Sequence, residues 1–276
     1  MHPARRPQVG TRSSWLSDFP ERLWRLPEDT VAALSFFSRL PVSGKADDFD
    51  LSRVAGAWPA AGLLLSLGPA AIVVLNYWLG VPPLVTAFLA VAMGIALTGA
   101  LHEDGLADTF DGLGAGGGQA RSLEVMRDSR LGTFGALALI LTVLVKGSAI
   151  AALAGTPLHA LAAFLGVAMI SRALALWHWS ALPPARHDGM AFAAGQPDAA
   201  ALQLGLLSGL IGAIILVVAL GLAALLGLAL AGVATILFTG LIRRRLGGHT
   251  GDTIGAIQQI TEALVFVGLS SATIGP

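Results

Sequence analysis

Residues 199–242 read AAALQLGLLSGLIGAIILVVALGLAALLGLALAGVATILFTGLI, 44 positions without a charge. As one helix they would run about 66 Å at 1.5 Å per residue, roughly twice the hydrocarbon core of a bilayer. The stretch is therefore read as a hairpin of two spanning helices that turns near Gly221–Gly227. No polar residue marks the turn. Five more blocks lie on either side. Val54–Leu79 and Pro82–Leu101 are uncharged, Leu131–Gly155 holds only Lys146, Leu158–Ser180 only Arg172, and Ile254–Ile274 only Glu262. Each is long enough for one span, which takes about 20 mostly apolar residues. The expectation is an all-α, polytopic transmembrane helix bundle of about seven spans, within a range of six to eight.

Composition agrees. The chain has 276 residues, 55% of them hydrophobic and 12% charged, whereas a soluble domain is about 25% charged. Its 17 Lys+Arg balance 17 Asp+Glu, and a nucleic-acid binder would show a basic excess. With no cysteine, disulfides, thiolate catalysis and Cys-ligated zinc are excluded. A single tyrosine argues against a β-barrel with aromatic girdles.

Positive charge alternates along the seven spans. The first 53 residues hold eight Lys/Arg; the segment 102–130 holds Arg121, Arg127 and Arg130; 181–198 holds Arg186; and Arg243–Arg245 precede the last span. The intervening links near 80–83, 156–157 and 221–227 hold none. Cytoplasmic loops carry the excess of Lys and Arg, so the N-terminus is expected in the cytoplasm and the C-terminus outside. Trp58 and Trp78 are 20 residues apart, about 30 Å along a helix, as if marking the two interfaces of the first span. The first 30 residues mix charge and proline without the apolar core of a signal peptide. The division expected is a cytoplasmic tail, 1–30, and an integral-membrane catalytic domain, 31–276. Val31–Phe37 is too short to span and is placed at the interface.

Sixteen of the 17 acids fall in the segments assigned to the cytoplasm. The densest run is His102-Glu-Asp104-Gly-Leu-Ala-Asp108-Thr-Phe-Asp111-Gly112. Asp104, Asp108 and Asp111 are spaced i, i+4, i+7, which puts them on one face of a helix. Like charges at this spacing repel, so either the run is a solvated acidic turn or a hard divalent cation with oxygen ligands sits among the three. Gly112–Gly118 follows with five glycines, without the Gly-Lys-Ser/Thr ending of a phosphate loop. Then come Arg121, Glu124, Arg127, Asp128 and Arg130. A guanidinium pair opposite a carboxylate-bound cation is a way to hold a diphosphate; a positive-inside loop with internal ion pairs is the alternative.

Arg243–Arg245 lead into Gly247-Gly-His249-Thr-Gly-Asp252. Asp252 begins the last span, where a helix cap is the plainer role. Glu262 lies about 15 Å further along. An intramembrane carboxylate is costly and is a functional candidate by default. Lys146 and Arg172 are the intramembrane cations that could pair with it. His102 and His249 each lie beside acids and are weaker candidates.

Three blocks resemble the cobalamin synthases, the adenosylcobinamide-GDP ribazoletransferases. They are Phe36-Phe-Ser-Arg39-Leu-Pro-Val42; His102–Gly112 continuing to Met126-Arg-Asp-Ser-Arg-Leu-Gly-Thr-Phe-Gly135; and Gly247–Ala256 with Glu262 following. In order, they cover nearly everything beyond the N-terminal tail. Glu103 departs from the pattern, which commonly has Leu there, and the tail is longer than usual.

The resemblance implies that a hydroxyl of alpha-ribazole, or of its 5'-phosphate, attacks the cobinamide-linked phosphorus of adenosylcobinamide-GDP and GMP leaves. It implies Mg2+ and the cytoplasmic (inner) membrane, with the active face in the cytoplasm and no nucleic-acid partner; oligomeric state stays open. Carried onto this chain, Asp104, Asp108 and Asp111 are expected to hold Mg2+. Asp128 and Asp252 complete the catalytic carboxylates. Arg39, Arg127, Arg130, His102, His249, Lys146 and Glu262 are expected to bind substrate. Two other readings stand beside this one. Asp108-Thr-Phe-Asp111-Gly112-Leu-Gly-Ala115 matches the opening of the CDP-alcohol phosphotransferase motif, but Gly116 replaces its Arg. An ion-coupled transporter would use Lys146, Arg172 and Glu262 as its path.

Overall fold

The computed structural model describes residues 15–42 and 50–273; the first 14 residues of the expected tail lie outside them. Among the described residues there is no strand, and the elements are helices. Helix α1 is Trp15–Phe37, which runs through position 30 without a break; α2 is Leu51–Val54. After a 3-10 turn come α3 (Trp58–Leu79), α4 (Pro83–Thr98), α5 (Leu101–Gly114) and the short α6 (Gln119–Val125). Then follow α7 (Thr133–Leu153), α8 (Pro157–Ser180), the short α9 (Met190–Ala193), α10 (Ala199–Leu220), α11 (Leu222–Leu246) and α12 (Gly251–Ser270).

Six of these elements are long and apolar enough to cross a membrane: Leu51–Leu79, which takes in α2 and α3, together with α7, α8, α10, α11 and α12. The expected hairpin is there, and Gly221 makes its turn at φ 55°. The second expected span is different. Pro82–Leu101 is long enough for one span, but α4 ends at Thr98. Gly99 and Ala100 both adopt left-handed backbone (φ 63° and 62°), which ends the helical hydrogen-bond run. The chain then turns by 92° into α5. α4 alone is 16 residues, about 24 Å, so it is a short candidate for a seventh span, with α5 turned across its end. Ala100 is the one described non-glycine residue at positive φ, a conformation that costs about 1–2 kcal/mol in an L-residue. That cost is placed where α5 is aimed.

α8 and α12 are the inner helices. In their most apolar stretches 72% and 67% of residues are buried, against 33% for α7 and α11. In lipid, helices associate by close packing, so small residues sit at their contacts. At the α8–α10 crossing a Cβ on Gly166 would lie 2.8 Å from the carbonyl of Gly212, and one on Gly212 would lie 3.0 Å from the carbonyl of Gly166. Ala160, Ala163, Leu216, Ala224, Val265 and Phe266 belong to the same apolar core.

The alternating helices bring the segments 99–132, 181–198 and 247–250 to one end of the bundle. Side chains tie them together there. Gln119 donates to the carbonyl of Leu246 (2.8 Å), Arg245 to that of Leu113 (3.0 Å) and Arg243 to that of Ala181 (3.0 Å). A parallel bridge pairs Pro184 with His249: the Ala185 N–H donates to the His249 carbonyl and the His249 N–H to that of Pro183, both at 2.8 Å.

Candidate active site

α5 crosses the first turn of α12 at Gly105, where a Cβ would lie 2.8 Å from the Asp252 carbonyl and 3.0 Å from its Cα. Any side chain there would push the two helices apart. This contact sets Asp104 and Asp108 of α5 against Asp252 of α12. Burial, and then the nearby carboxylates of Asp104, Asp252 and Asp111, push the Asp108 carboxyl up to about 7 against the opposing pull of Arg186. Arg186 donates to Asp252 at 2.7 Å, and the Thr250 hydroxyl donates to the same oxygen at 3.1 Å. Asp104 and Asp108 form no ion pair among the described residues, whereas Asp252 has Arg186.

Asp111, the third acid of the series, spends both oxygens on backbone. Its Oδ2 accepts from the Gly132 N–H (2.7 Å) and its Oδ1 from the Gly135 N–H (2.8 Å). These are amides at the N-terminus of α7, which lack partners within their own helix and favour a negative charge. Asp111 thus caps α7 from a neighbouring helix. Replacing it with Asn removes a buried, charge-assisted cap worth about 1–3 kcal/mol. The expected result for Asp111→Asn is a melting temperature several degrees lower in detergent. An unchanged melting curve would count against the capping role.

On the other side of Asp252 a cavity of about 220 Å3 is lined by Arg186, Asp188, His249 and Thr250. His249 is 1% exposed. Neither of its ring nitrogens has a partner among the described residues. Burial pulls the His249 imidazole down to about 4, so it is neutral. A second pocket of about 270 Å3 meets the first at Asp252, Gly251 and Met190 and reaches Asp104.

The expected arginines divide. Arg127 forms a two-oxygen pair with Asp188 (2.5 and 2.6 Å) across a further cavity of about 460 Å3. Arg130 pairs with its neighbour Asp128 and stays solvent-facing, which holds the Asp128 carboxyl well below the usual range. Asp128 is therefore not gathered with Asp104 and Asp108. Arg39 lies over the α4–α5 bend: its N–H donates to the Leu97 carbonyl (2.8 Å), and its side chain fills the space beside Gly99.

Lys146, Glu262 and Arg172 meet inside the bundle. Lys146 pairs with Glu262 at 2.8 Å and donates to Gln259 at 3.0 Å. Gln258 donates to Glu262 and to Ser171. Lys146, Arg172, Gln258, Gln259 and Glu262, with Glu103 and His102, line a cavity of about 60 Å3, room for a water or two. Arg172, His102 and Gln258 also line the 270 Å3 pocket, so they form its floor. His102 stacks on Phe37 with centroids 5.5 Å apart.

Gln258 and Gln259 have no role in the sequence analysis, and Arg186 enters there only as the positive charge of its loop. A lone arginine in a loop carries no pattern of its own. The adjacent amides did leave a signal, because Gln258 precedes Glu262 by four residues inside an otherwise apolar span.

Among the described residues no three His, Asp or Glu side chains form a closed metal cage. Mg2+ does not need one: it is commonly held by one or two carboxylates plus substrate phosphates. Asp104 and Asp108, hard oxygen donors without an ion pair among the described residues, fit that mode.

Comparison with known proteins gives one family. A profile described as Cobalamin-5-phosphate synthase matches residues 29–270. The chain is 45% identical over 251 residues to the adenosylcobinamide-GDP ribazoletransferase of Rhizobium johnstonii, covering 88% of this chain and 96% of that one. It is 46% identical over 253 residues to the enzyme of that name from Sinorhizobium medicae, covering 89% and 97%. The likewise named protein of Azorhizobium caulinodans is 44% identical over 253 residues, covering 89% and 96%. No solved structure matches.

Proposed function

The chain belongs to the cobalamin-5-phosphate synthase family, a multi-pass membrane transferase of cobalamin biosynthesis, and from that premise we infer that it is an adenosylcobinamide-GDP ribazoletransferase. It joins adenosylcobinamide-GDP to alpha-ribazole, or to its 5'-phosphate, with release of GMP. Family membership decides against the CDP-alcohol and transporter readings. The observation that carries the site is the meeting of Asp104 and Asp108 with Asp252 beside Arg186, at the end of the bundle where the charged loops gather. We place that end in the cytoplasm of the inner membrane, because the loops there hold the arginines.

The site residues then divide the work. Asp104 and Asp108 would hold Mg2+, and the 220 Å3 cavity with Arg186, His249 and Thr250 would take the diphosphate. The bound ion would neutralise phosphate oxygens as charge moves onto the leaving GMP. Arg186 keeps Asp252 oriented. Asp252 faces both pockets and is placed to accept the proton of the attacking hydroxyl. Arg127 and Asp188 clamp the loops around the site. Lys146 and Glu262 act on substrate only through the floor that Arg172 and Gln258 form.

The test is GMP release by purified protein. Release is expected only with adenosylcobinamide-GDP, alpha-ribazole (or its phosphate) and Mg2+ together. Folded protein that forms no GMP under those conditions would refute the assignment.

A further inference from the structure

The 270 Å3 pocket has a composition that the diphosphate does not require. Its walls are Phe36, Phe37, Trp58, Leu101, Ala175 and Ile254. They are held rigidly: Trp58 stacks on Trp179 (centroids 5.1 Å, 15°), and Phe37 meets Trp58 edge-on (5.1 Å, 86°). Such walls present flat apolar faces at little entropic cost. Two of the lining residues carry a buried donor without an acceptor among the described residues, Arg172 at Nε and Trp58 at Nε1. Arg172 is 5% exposed. Buried N–H groups left unpaired are costly, so the apolar lining with these donors points to a flat, largely apolar ligand with an acceptor for at least one of them.

The reaction proposed above offers three bodies to such a pocket. The corrinoid is far too large, since 270 Å3 lies below the usual small-molecule range of about 300–1,000 Å3. Guanine is flat, but its edge carries two acceptors, N7 and O6, and an amino donor. Set against the apolar walls that edge would be unsatisfied, and it would have to turn to the polar lining, Asp104, Arg172, Asp252 and Gln258, to be served. The dimethylbenzimidazole base of alpha-ribazole is a fused bicycle with two methyl groups and one free ring nitrogen. We propose that this pocket holds the benzimidazole base of the acceptor nucleoside, packed against Phe36, Phe37 and Trp58 with its free nitrogen accepting from the unpartnered N–H of Arg172. The pocket then opens at Asp104 and Asp252, so the attached ribose emerges where the phosphorus is held. The proposal rests on the ribazoletransferase reading and names its acceptor subsite.

The experiment uses the full chain in lipid nanodiscs and GMP release as readout. Three acceptors are compared with alpha-ribazole: the alpha-ribosides of unsubstituted benzimidazole, of dimethylindole, which lacks only the free nitrogen, and of adenine. Losing the methyls should lower kcat/KM about tenfold, and losing the nitrogen should lower it by at least tenfold. Adenine should fall further, about a hundredfold. Ile254→Trp, which fills the pocket, should raise the acceptor KM at least tenfold and leave the donor KM within twofold. If alpha-ribazole itself supports no GMP release, the ribazoletransferase reading falls and takes this proposal with it. If GMP is released but the acceptors react alike, or Ile254→Trp moves only the donor KM, the proposal alone is overturned. Should Ile254→Trp fail to fold, the acceptor series on the unaltered chain decides.

Discussion

Asp104→Asn and Asp108→Asn are each expected to cut GMP release by about 10²–10³-fold, the scale of removing one group that stabilises charge in a transition state. Phosphoryl transfer leaves little covalent chemistry to the protein, so loss of a charge at the metal position goes directly into the barrier. The two variants should also need more Mg2+ for half-maximal rate. Folding should be spared. Asp104 is exposed, and Asp108 is destabilised as it stands, since burial and neighbouring carboxylates oppose its charge. Neutralising either side chain therefore relieves repulsion. The measurements are GMP release across a Mg2+ titration and a melting curve on the same preparation. Near-wild-type rates in both variants would remove these residues from the metal role. The contrast with Asp111→Asn is part of the prediction: that change should lower the melting temperature first, because Asp111 serves the end of α7.

The second large effect concerns the pair inside the bundle. Glu262→Ala leaves Lys146 buried (6% exposed) without its carboxylate, and breaking a buried pair in this way costs about 3–5 kcal/mol. The expected outcome is sharply reduced yield of folded protein. Lys146→Met/Glu262→Met should recover most of that yield, because apolar residues of similar volume can replace both members together. The readout is monodisperse protein after extraction, followed by GMP release from the double variant. A single variant as stable as the double would show that the pair contributes no coupling. If the double variant folds and turns over normally, the 60 Å3 cavity is structural. If it folds and loses turnover, the pocket floor depends on it.

The acidic series shows how far sequence spacing reaches. The i, i+4, i+7 pattern puts three carboxylates on one helical face, and α5 is a helix. Position on a face does not say what is opposite it. Asp111 meets the amides of α7, Asp108 meets Asp252, and Asp104 opens to solvent, because three different elements pack around one helix. Arg127 and Arg130 carry the same lesson, since both find carboxylates rather than each other. The intramembrane charges were legible as a puzzle with two candidate partners for Glu262. Helix packing chose Lys146 for the direct pair and turned Arg172 toward the pocket floor.

What the sequence determined by itself is what a bilayer enforces: an all-helical bundle, the approximate bounds of the apolar helices other than the second, and the separation of charge from span. Lipid satisfies no backbone or charged group, so that rule is written residue by residue and can be read locally. What only the tertiary structure decided is the bend at Gly99 and Ala100, the close approach at Gly105, and the partners of each charge. Those depend on which helices touch, and in lipid that choice rests on shape complementarity between small residues far apart in the chain.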